Sequence, residues 1–359
     1  MILAMSGFPK NRNSTAAALP TLDLRDFTSG SGQLRDRFVD TLRETAHGIG
    51  FFYLRGRGID AGLQARVGAA ADAFFALPAA AKAALHMVNS PHFRGYTAAG
   101  DEITRGVRDW REQLDLGAER PTLPGADATH AWRRLQGPNL WPRGIPAFRA
   151  TLEDWQRSVT AVGFTLMRAL ALCLEQRESE FDAAFAPDPV QHVKIIRYPG
   201  RSQDQSRQGV GAHKDSGFLT LLLQVQGSGL QVLAGNTWAD VPPREDSLVI
   251  NLGEALEMLT GGFLRATEHR VLSPCSGDER LSVAFFLGPR LDAELLSLSL
   301  PPALAARVRC VAADPCNRMI AHAGENFLKG RLRSHPDVAA RFYSDVTPIP
   351  LALHGKLNE

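Results

Sequence analysis

Cysteine is scarce: Cys173, Cys275, Cys310 and Cys316 are the 4 in 359 residues. They form no C-x-x-C pair and no regular spacing, which excludes a disulfide framework and a cysteine zinc ribbon. Reduced thiols and a cytoplasmic location are the expectation. Charge of one sign is lacking too. The 40 Lys and Arg against 38 Asp and Glu leave +2, so bulk charge offers no attraction to nucleic acid or to a membrane surface. Long hydrophobic runs are absent. The longest apolar helical stretch, Phe164 to Leu174, carries Arg168 and falls short of the ~20 residues a span needs. The start, Met1 to Gly7, has no basic stretch and no long apolar run, so no secretory signal is expected.

What is present is ordinary globular composition, 44% hydrophobic and 22% charged, enough for a large core. Residues 1–18 are small and polar, the pattern of a loose tail. Residues 19–145 open with a short strand at Leu22-Asp23-Leu24. A helix follows from Leu34 to His47, stopping at Gly48, and then a strand over Gly50–Leu54. Asp60 is placed to cap a helix running to Phe75. Residues 88–144 are rich in Gly, Pro and charge and read as irregular, a setting where binding residues concentrate. Within 146–189, a long amphipathic helix spans Pro146 to Glu175, with Phe148, Leu152, Trp155, Val159, Val162 and Leu166 on its buried stripe. Residues 190–290 change to short strands at Val190–Tyr198, Gly217–Val225, Leu230–Leu233, Ser247–Leu252, Leu264–Val271 and Leu281–Leu287. Turn residues punctuate them, which predicts a jelly-roll or barrel. Residues 291–359 read as helical, and the whole as one structural unit.

The chemistry begins at His213-Lys214-Asp215. Side chains two apart share one face of an extended strand, so this imidazole and carboxylate can reach one cation. His269 lies on another expected strand, 56 residues later (269 − 213). Two imidazoles and one carboxylate on one face of an octahedral ion leave three positions open, the set that suits non-haem Fe(II). Zinc, which prefers four ligands, takes the same donor types. Arg280 and Ser282 share a strand face with Ala284 and Phe286 and can grip a carboxylate. Tyr198 offers a phenol to the same anion.

In order, Arg197-Tyr198-Pro199, His213-Lys214-Asp215, Asn251-Leu252-Gly253, His269-Arg270-Val271 and Arg280-Leu281-Ser282 resemble the isopenicillin N synthase-like Fe(II)/2-oxoglutarate-dependent oxygenases. Gly48-Ile49-Gly50-Phe51-Phe52-Tyr53 and Gly58-Ile59 resemble the family's amino-terminal region, and the resemblance spans residues 19–345. It implies a mainly β fold, a double-stranded β-helix (jelly-roll) flanked by helices. It also implies one Fe(II) on His213, Asp215 and His269. By the same resemblance, 2-oxoglutarate is held by Arg280 and Ser282 with Tyr198 and Phe286 beside it, and O2 completes the reaction. Succinate and CO2 would leave, and a small polar substrate would be oxidised, most simply hydroxylated. The partner is then a small molecule, acted on by a monomer or weak homodimer.

Tyr96, Gly100-Asp101-Glu102-Ile103-Thr104, Phe286 and Arg333 look similar to active-site segments of the bacterial branch that includes the ethylene-forming enzyme. Lys194 departs, since that enzyme has arginine there, and Arg105 to Glu112 differ as well. The resemblance therefore carries neither a substrate arginine nor ethylene production. Candidate substrate contacts are Arg94, Tyr96, Glu102, Lys194 and Arg333. Two other readings stand beside this one. An oxidase of the isopenicillin N synthase type would use Arg280 and Ser282 on its substrate's own carboxylate. A non-catalytic metal-binding jelly-roll would need neither anchor nor open positions.

Overall fold

The computed structural model describes residues 19–201, 208–309, 311 and 318–346. The expected tail over 1–18, Cys310, Cys316 and residues 347–359 of the carboxy-terminal region lie outside the described residues. Cys173 is buried and Cys275 exposed, both as free thiols. Among the described residues no helix is long and apolar enough to cross a membrane.

The strands in chain order are β1 (Thr21–Asp23), β2 (Phe51–Arg55), β3 (Gly95–Thr97), β4 (Ile103–Thr104), β5 (Val107–Arg108), β6 (Glu112–Gly117) and β7 (Val190–Pro199). There follow β8 (Gln208–His213), β9 (Leu219–Gln226), β10 (Leu230–Ala234), β11 (Thr237–Asp240), β12 (Leu248–Leu252), β13 (His269–Leu272) and β14 (Glu279–Gly288). An eight-stranded sheet runs β1-β2-β12-β9-β14-β7-β6-β3, and a four-stranded sheet runs β11-β10-β13-β8. The two face one another as a jelly-roll across an inner cluster that includes Phe51, Tyr53, Ile196, Val210, Val232, Val249, Val271 and Ala284.

The pleat of β14 explains the layering. Val283, Phe285 and Leu287 point outward to the larger core, under the 26-residue helix Phe148–Cys173. That helix buries Leu152, Trp155, Val159, Val162 and Leu166, the stripe its sequence shows. Gly163 lets it approach the sheet, because a Cβ there would lie 2.6 Å from Leu287 Cδ2. Asp60 caps the helix Ala61–Phe75 by accepting from the amides of Gly62 and Leu63.

Several elements differ from the sequence expectation. The segment 88–144 is not wholly irregular: β3 and β6 add two buried strands to the large sheet. The pattern Glu112-Gln113-Leu114-Asp115-Leu116-Gly117 looks half-exposed, yet all six residues are buried, since its polar side faces a polar interior. Strands β8 and β11 likewise lack the apolar runs that mark a strand in sequence. The stretch 264–268 is extended loop, with β13 starting only at His269. Leu24 opens a short helix rather than ending β1, because Asp23 caps it by accepting from the Arg25 amide.

Candidate metal centre and anion pocket

β8 ends at His213 and β13 begins at His269, and the two are cross-strand partners with ring centroids 4.3 Å apart. Each ring is oriented by its own strand. His213 Nδ1 donates to the Gly211 carbonyl at 2.8 Å and His269 Nδ1 to that of Thr267 at 3.2 Å. A proton on Nδ1 leaves a lone pair on each Nε2. Both Nε2 atoms face Asp215 Oδ1, at 3.5 and 3.7 Å. These distances are too long for direct hydrogen bonds. Asp215 lies two residues past the end of β8 rather than on it, in a turn whose Asp215 carbonyl accepts from the Glu254 amide at 2.7 Å.

The remaining carboxylate oxygen is already committed. Thr220 Oγ1 donates to Asp215 Oδ2 at 2.5 Å and Asn251 Nδ2 at 2.8 Å. Thr220 and Asn251 are paired across β9 and β12, so the large sheet itself holds the carboxylate. Burial alone would raise the Asp215 pKa, but His269, His213 and Asn251 outweigh it and hold the carboxyl well below its usual range. Burial and the His213 imidazole push His269 down to about 4, so it stays a neutral donor. Three ligand atoms thus converge within 4.8 Å with their other atoms tied elsewhere. That donor set fits a cation such as Fe(II) and supplies only three ligands.

On β14, Arg280 is 1% exposed. Its Nη1 donates to Ser282 Oγ at 2.7 Å and its Nη2 to Gln224 Oε1 at 3.1 Å. The Tyr198 ring centroid lies 5.1 Å from the guanidinium carbon. The Nε has no partner, and among the described residues no carboxylate pairs with the group. A buried cation left this way is costly unless an anion arrives. The site therefore fits a carboxylate co-substrate. Phe286, on the same face, stacks on His192 with ring centroids 5.4 Å apart.

Beside Arg280 the inner face of β6 and β7 carries a network of buried charges. His192 Nε2 donates to Asp115 Oδ1 at 2.6 Å, and Lys194 Nζ lies 3.3 Å from the same oxygen. Lys194 also donates to Glu102 Oε1 at 3.2 Å, and Arg111 to Glu102 Oε2 at 2.5 Å. His335 Nε2 sits 3.1 Å from Glu102 Oε1. Burial would raise the Glu102 pKa, but Arg111, Lys194 and His335 hold it well below its usual value. Arg331 reaches in from the helix Ala323–Ser334 and donates to the free Nδ1 of His192. Burial and Arg331 push the His192 pKa down to about 3.

Of the five candidate substrate contacts, Glu102 and Lys194 lie in this network. Arg94 borders it, donating to the Leu135 carbonyl at 3.2 Å, with burial and nearby Arg331 lowering its pKa to about 10. Tyr96 does not belong to it. Its cross-strand partner is Leu114, so it points to the helix side and donates to Glu112 Oε2 at 2.7 Å. Arg333 is exposed. Two residues along a helix turn the side chain by about 200°, so Arg331 enters and Arg333 leaves. Sequence reasoning did not single out Thr220, Gln224, Asp115, His192 or Arg331. The one available signal was that His192 shares a face of the expected strand Val190–Tyr198 with the candidates Lys194 and Tyr198.

Residues 19–144 match the family described as non-haem dioxygenase in morphine synthesis, N-terminal, and residues 189–289 match the 2OG-Fe(II) oxygenase superfamily. The chain is 34% identical over 342 residues to the 2-oxoglutarate-dependent dioxygenase frbJ of Dothideomycetidae sp. (strain 11243), covering 90% of this chain and 92% of that one. It is 31% identical over 268 residues to a homoarginine-6-hydroxylase of Arabidopsis thaliana, covering 73% and 80%. Among solved structures, a 2OG-Fe(II) oxygenase family protein from Caulobacter crescentus superposes with a TM-score of 0.70 at 30% identity, over 88% of this chain and 98% of that one. A full-length Neurospora crassa protein, solved in complex with alpha-KG and thymine, gives 0.72 at 23% identity over 91% and 98%, a likeness of fold. The chain belongs to the 2OG-Fe(II) oxygenase superfamily. It is a 2-oxoglutarate- and Fe(II)-dependent dioxygenase that consumes O2 and acts on a small molecule.

Proposed function

We propose that His213 Nε2, His269 Nε2 and Asp215 Oδ1 hold the iron, and that Arg280 with Ser282 anchors the far carboxylate of 2-oxoglutarate. Iron, 2-oxoglutarate and O2 together supply the oxidant for a substrate C–H bond, with succinate and CO2 released. The residues of the chain do the rest. Thr220 and Asn251 keep the carboxylate ligand aimed, Tyr198 packs on the anchor, and Phe286 forms a dry wall next to it.

The substrate class is read from charge. Four cations, Arg94, Arg111, Lys194 and Arg331, face three anions, Glu102, Asp109 and Asp115, in the network beside Arg280. Glu102 already faces Arg111, Lys194 and His335, so a substrate guanidinium would meet two cations on its approach to that carboxylate. The surplus positive charge favours a substrate with a carboxylate, taken by Arg331 with Lys194 and Arg94. This excess is the observation that carries the reading, and it argues against transferring the homoarginine specificity of the Arabidopsis relative. Hydroxylation is the outcome we favour over ethylene formation, because Tyr96 and Arg333 turn away from the site. The sparse, irregularly spaced cysteines support action in the cytoplasm, and the near-neutral charge supports a protein that binds no nucleic acid, acting as a monomer or weak homodimer.

A panel of small carboxylic acids beside their methyl esters and amides tests the assignment, read as substrate-stimulated succinate release with Fe(II) and 2-oxoglutarate. Acids should stimulate and neutral analogues should not. Equal stimulation by esters and amides, or by cationic compounds alone, would sink it.

A further inference from the structure

The three candidate ligands stand at the ends of irregular chain. His213 and Asp215 flank Lys214 where β8 runs out, and His269 follows the loop Phe263–Glu268. Strand pairing sets the backbone of the two histidines opposite one another but leaves both loops to be held by other means. The short helix Glu254–Leu259 sits against both. At its start, the Glu254 amide donates to the Asp215 carbonyl at 2.7 Å and the Ala255 amide to that of Gly217 at 3.2 Å. Gly253 makes this approach possible, since a Cβ there would lie 2.1 Å from the Gly217 carbonyl oxygen.

One turn along, Glu257 is 7% exposed. Its Oε2 accepts from Lys214 Nζ at 2.7 Å and its Oε1 from the Ala266 amide at 3.1 Å. A single buried carboxylate therefore touches the residue between two ligands and the residue three before the third. Thr267, next to Ala266, supplies the carbonyl that fixes the His269 ring. The loop has other ties as well, among them the Arg265 amide to Ala46, Thr267 Oγ1 to Ile49, the Leu264 amide to Thr260 Oγ1 and the Leu233 amide to the Glu268 carbonyl.

We infer that Glu257 is a positioning residue that clamps the His213–Asp215 turn to the loop before His269, and so sets the spacing of the metal ligands. Its two oxygens fix the loops relative to one helix by charge-assisted bonds. Partners that orient ligands from behind commonly change metal affinity by about 10–100-fold when removed. The inference rests on the proposed metal role of His213, Asp215 and His269.

The test uses the full chain stripped of metal, titrated with Mn(II) well below the melting temperature, with circular dichroism and Tm recorded for each variant. Glu257→Ala loses both arms and should weaken Mn(II) about tenfold or more. Glu257→Gln keeps an acceptor for Ala266, and Lys214→Met removes only the ion pair, so each should weaken binding by a smaller factor. The double variant Lys214→Met/Glu257→Gln should bind no more weakly than the more affected of the two single variants, because both changes break the same bond. Variants that fold natively and bind Mn(II) within twofold of the native chain would overturn the clamp. A lowered Tm with unchanged affinity would do the same, showing a role in stability alone. If Glu257→Ala does not fold, Glu257→Gln and Lys214→Met decide. Failure of the native chain to bind Mn(II) would instead overturn the metal assignment and the clamp with it, and the native titration shows which has failed.

Discussion

Arg280 and Ser282 stand two residues apart on one strand with Nη1 and Oγ at 2.7 Å, a guanidinium steadied by a hydroxyl. No carboxylate among the described residues completes the pair. On the proposed reading, the incoming 2-oxoglutarate carboxylate is the missing partner. Arg280→Ala should raise the KM for 2-oxoglutarate by an amount equivalent to about 2 kcal/mol or more, as for a buried charge pair that loses one side. Ser282→Ala should cost less, about 1 kcal/mol for one hydrogen bond. Initial rates against 2-oxoglutarate concentration check this, and an unchanged KM in Arg280→Ala counts against the anchor.

The aspartate of the proposed metal centre is held by the large sheet. Asp215→Ala should abolish most metal binding. Asn251→Ala and Thr220→Val should weaken it about tenfold while leaving the fold intact, since each removes one bond to Oδ2. Metal content after dialysis against equal Fe(II) gives the answer, and full occupancy in Asp215→Ala defeats the assignment.

Arg331 and Arg333 make a matched pair for a specificity test. Arg331→Ala should lose most substrate-coupled turnover yet retain substrate-free 2-oxoglutarate decarboxylation, whereas Arg333→Ala should behave as the native enzyme. Succinate formation measured with and without substrate separates the two. Equal loss in both variants would place the substrate elsewhere.

Tyr96→Phe should leave the KM for 2-oxoglutarate untouched and lower stability by about 1–2 kcal/mol. It removes a buried hydrogen bond to a carboxylate on the helix side of the sheet. Urea unfolding and steady-state kinetics on the same preparation test both halves of that statement.

His192 gives a pH dependence. Burial and Arg331 depress its pKa from 6.5 to about 3, so the folded state keeps the ring neutral while the unfolded chain takes up a proton. The stability tied to the neutral ring is present above pH 6.5 and declines as pH falls from there toward 3. Between pH 6.5 and about 4.5, before ordinary carboxylates titrate, His192→Gln should flatten the fall in unfolding free energy by up to one proton. Parallel pH profiles for native and variant protein would contradict the neutral ring.

The main strands of residues 190–290 and the candidate metal ligands were readable because they combine apolar runs with rare chemical groups. The run Phe218–Val225 announces β9, and His213, Asp215 and His269 are the few residues able to ligate nearby. β6 escaped because burial there is polar. Its Gln113 and Asp115 look like surface residues until β7 lies alongside and both Lys194 and His192 reach Asp115, a pairing that spans about 80 positions of chain. That Arg331 rather than Arg333 reaches the buried network has a simpler origin. Both fit a helix ending in basic residues, and only the docking of that helix decides which one faces inward.

The co-substrate's candidate contacts lie on β7, β9 and β14, adjoining strands of one continuous sheet, where any slip in register would turn every one of them to the wrong side. Of the proposed substrate contacts, Lys194 also stands on β7, whereas Arg331 and Arg94 come from suspended pieces, the helix Ala323–Ser334 and the loop before β3. Such pieces can be re-angled, lengthened or exchanged without disturbing the fixed frame. The chain thus divides into a part under strict geometric constraint and a part free to diverge, so related enzymes can take up new molecules while running the same oxidation.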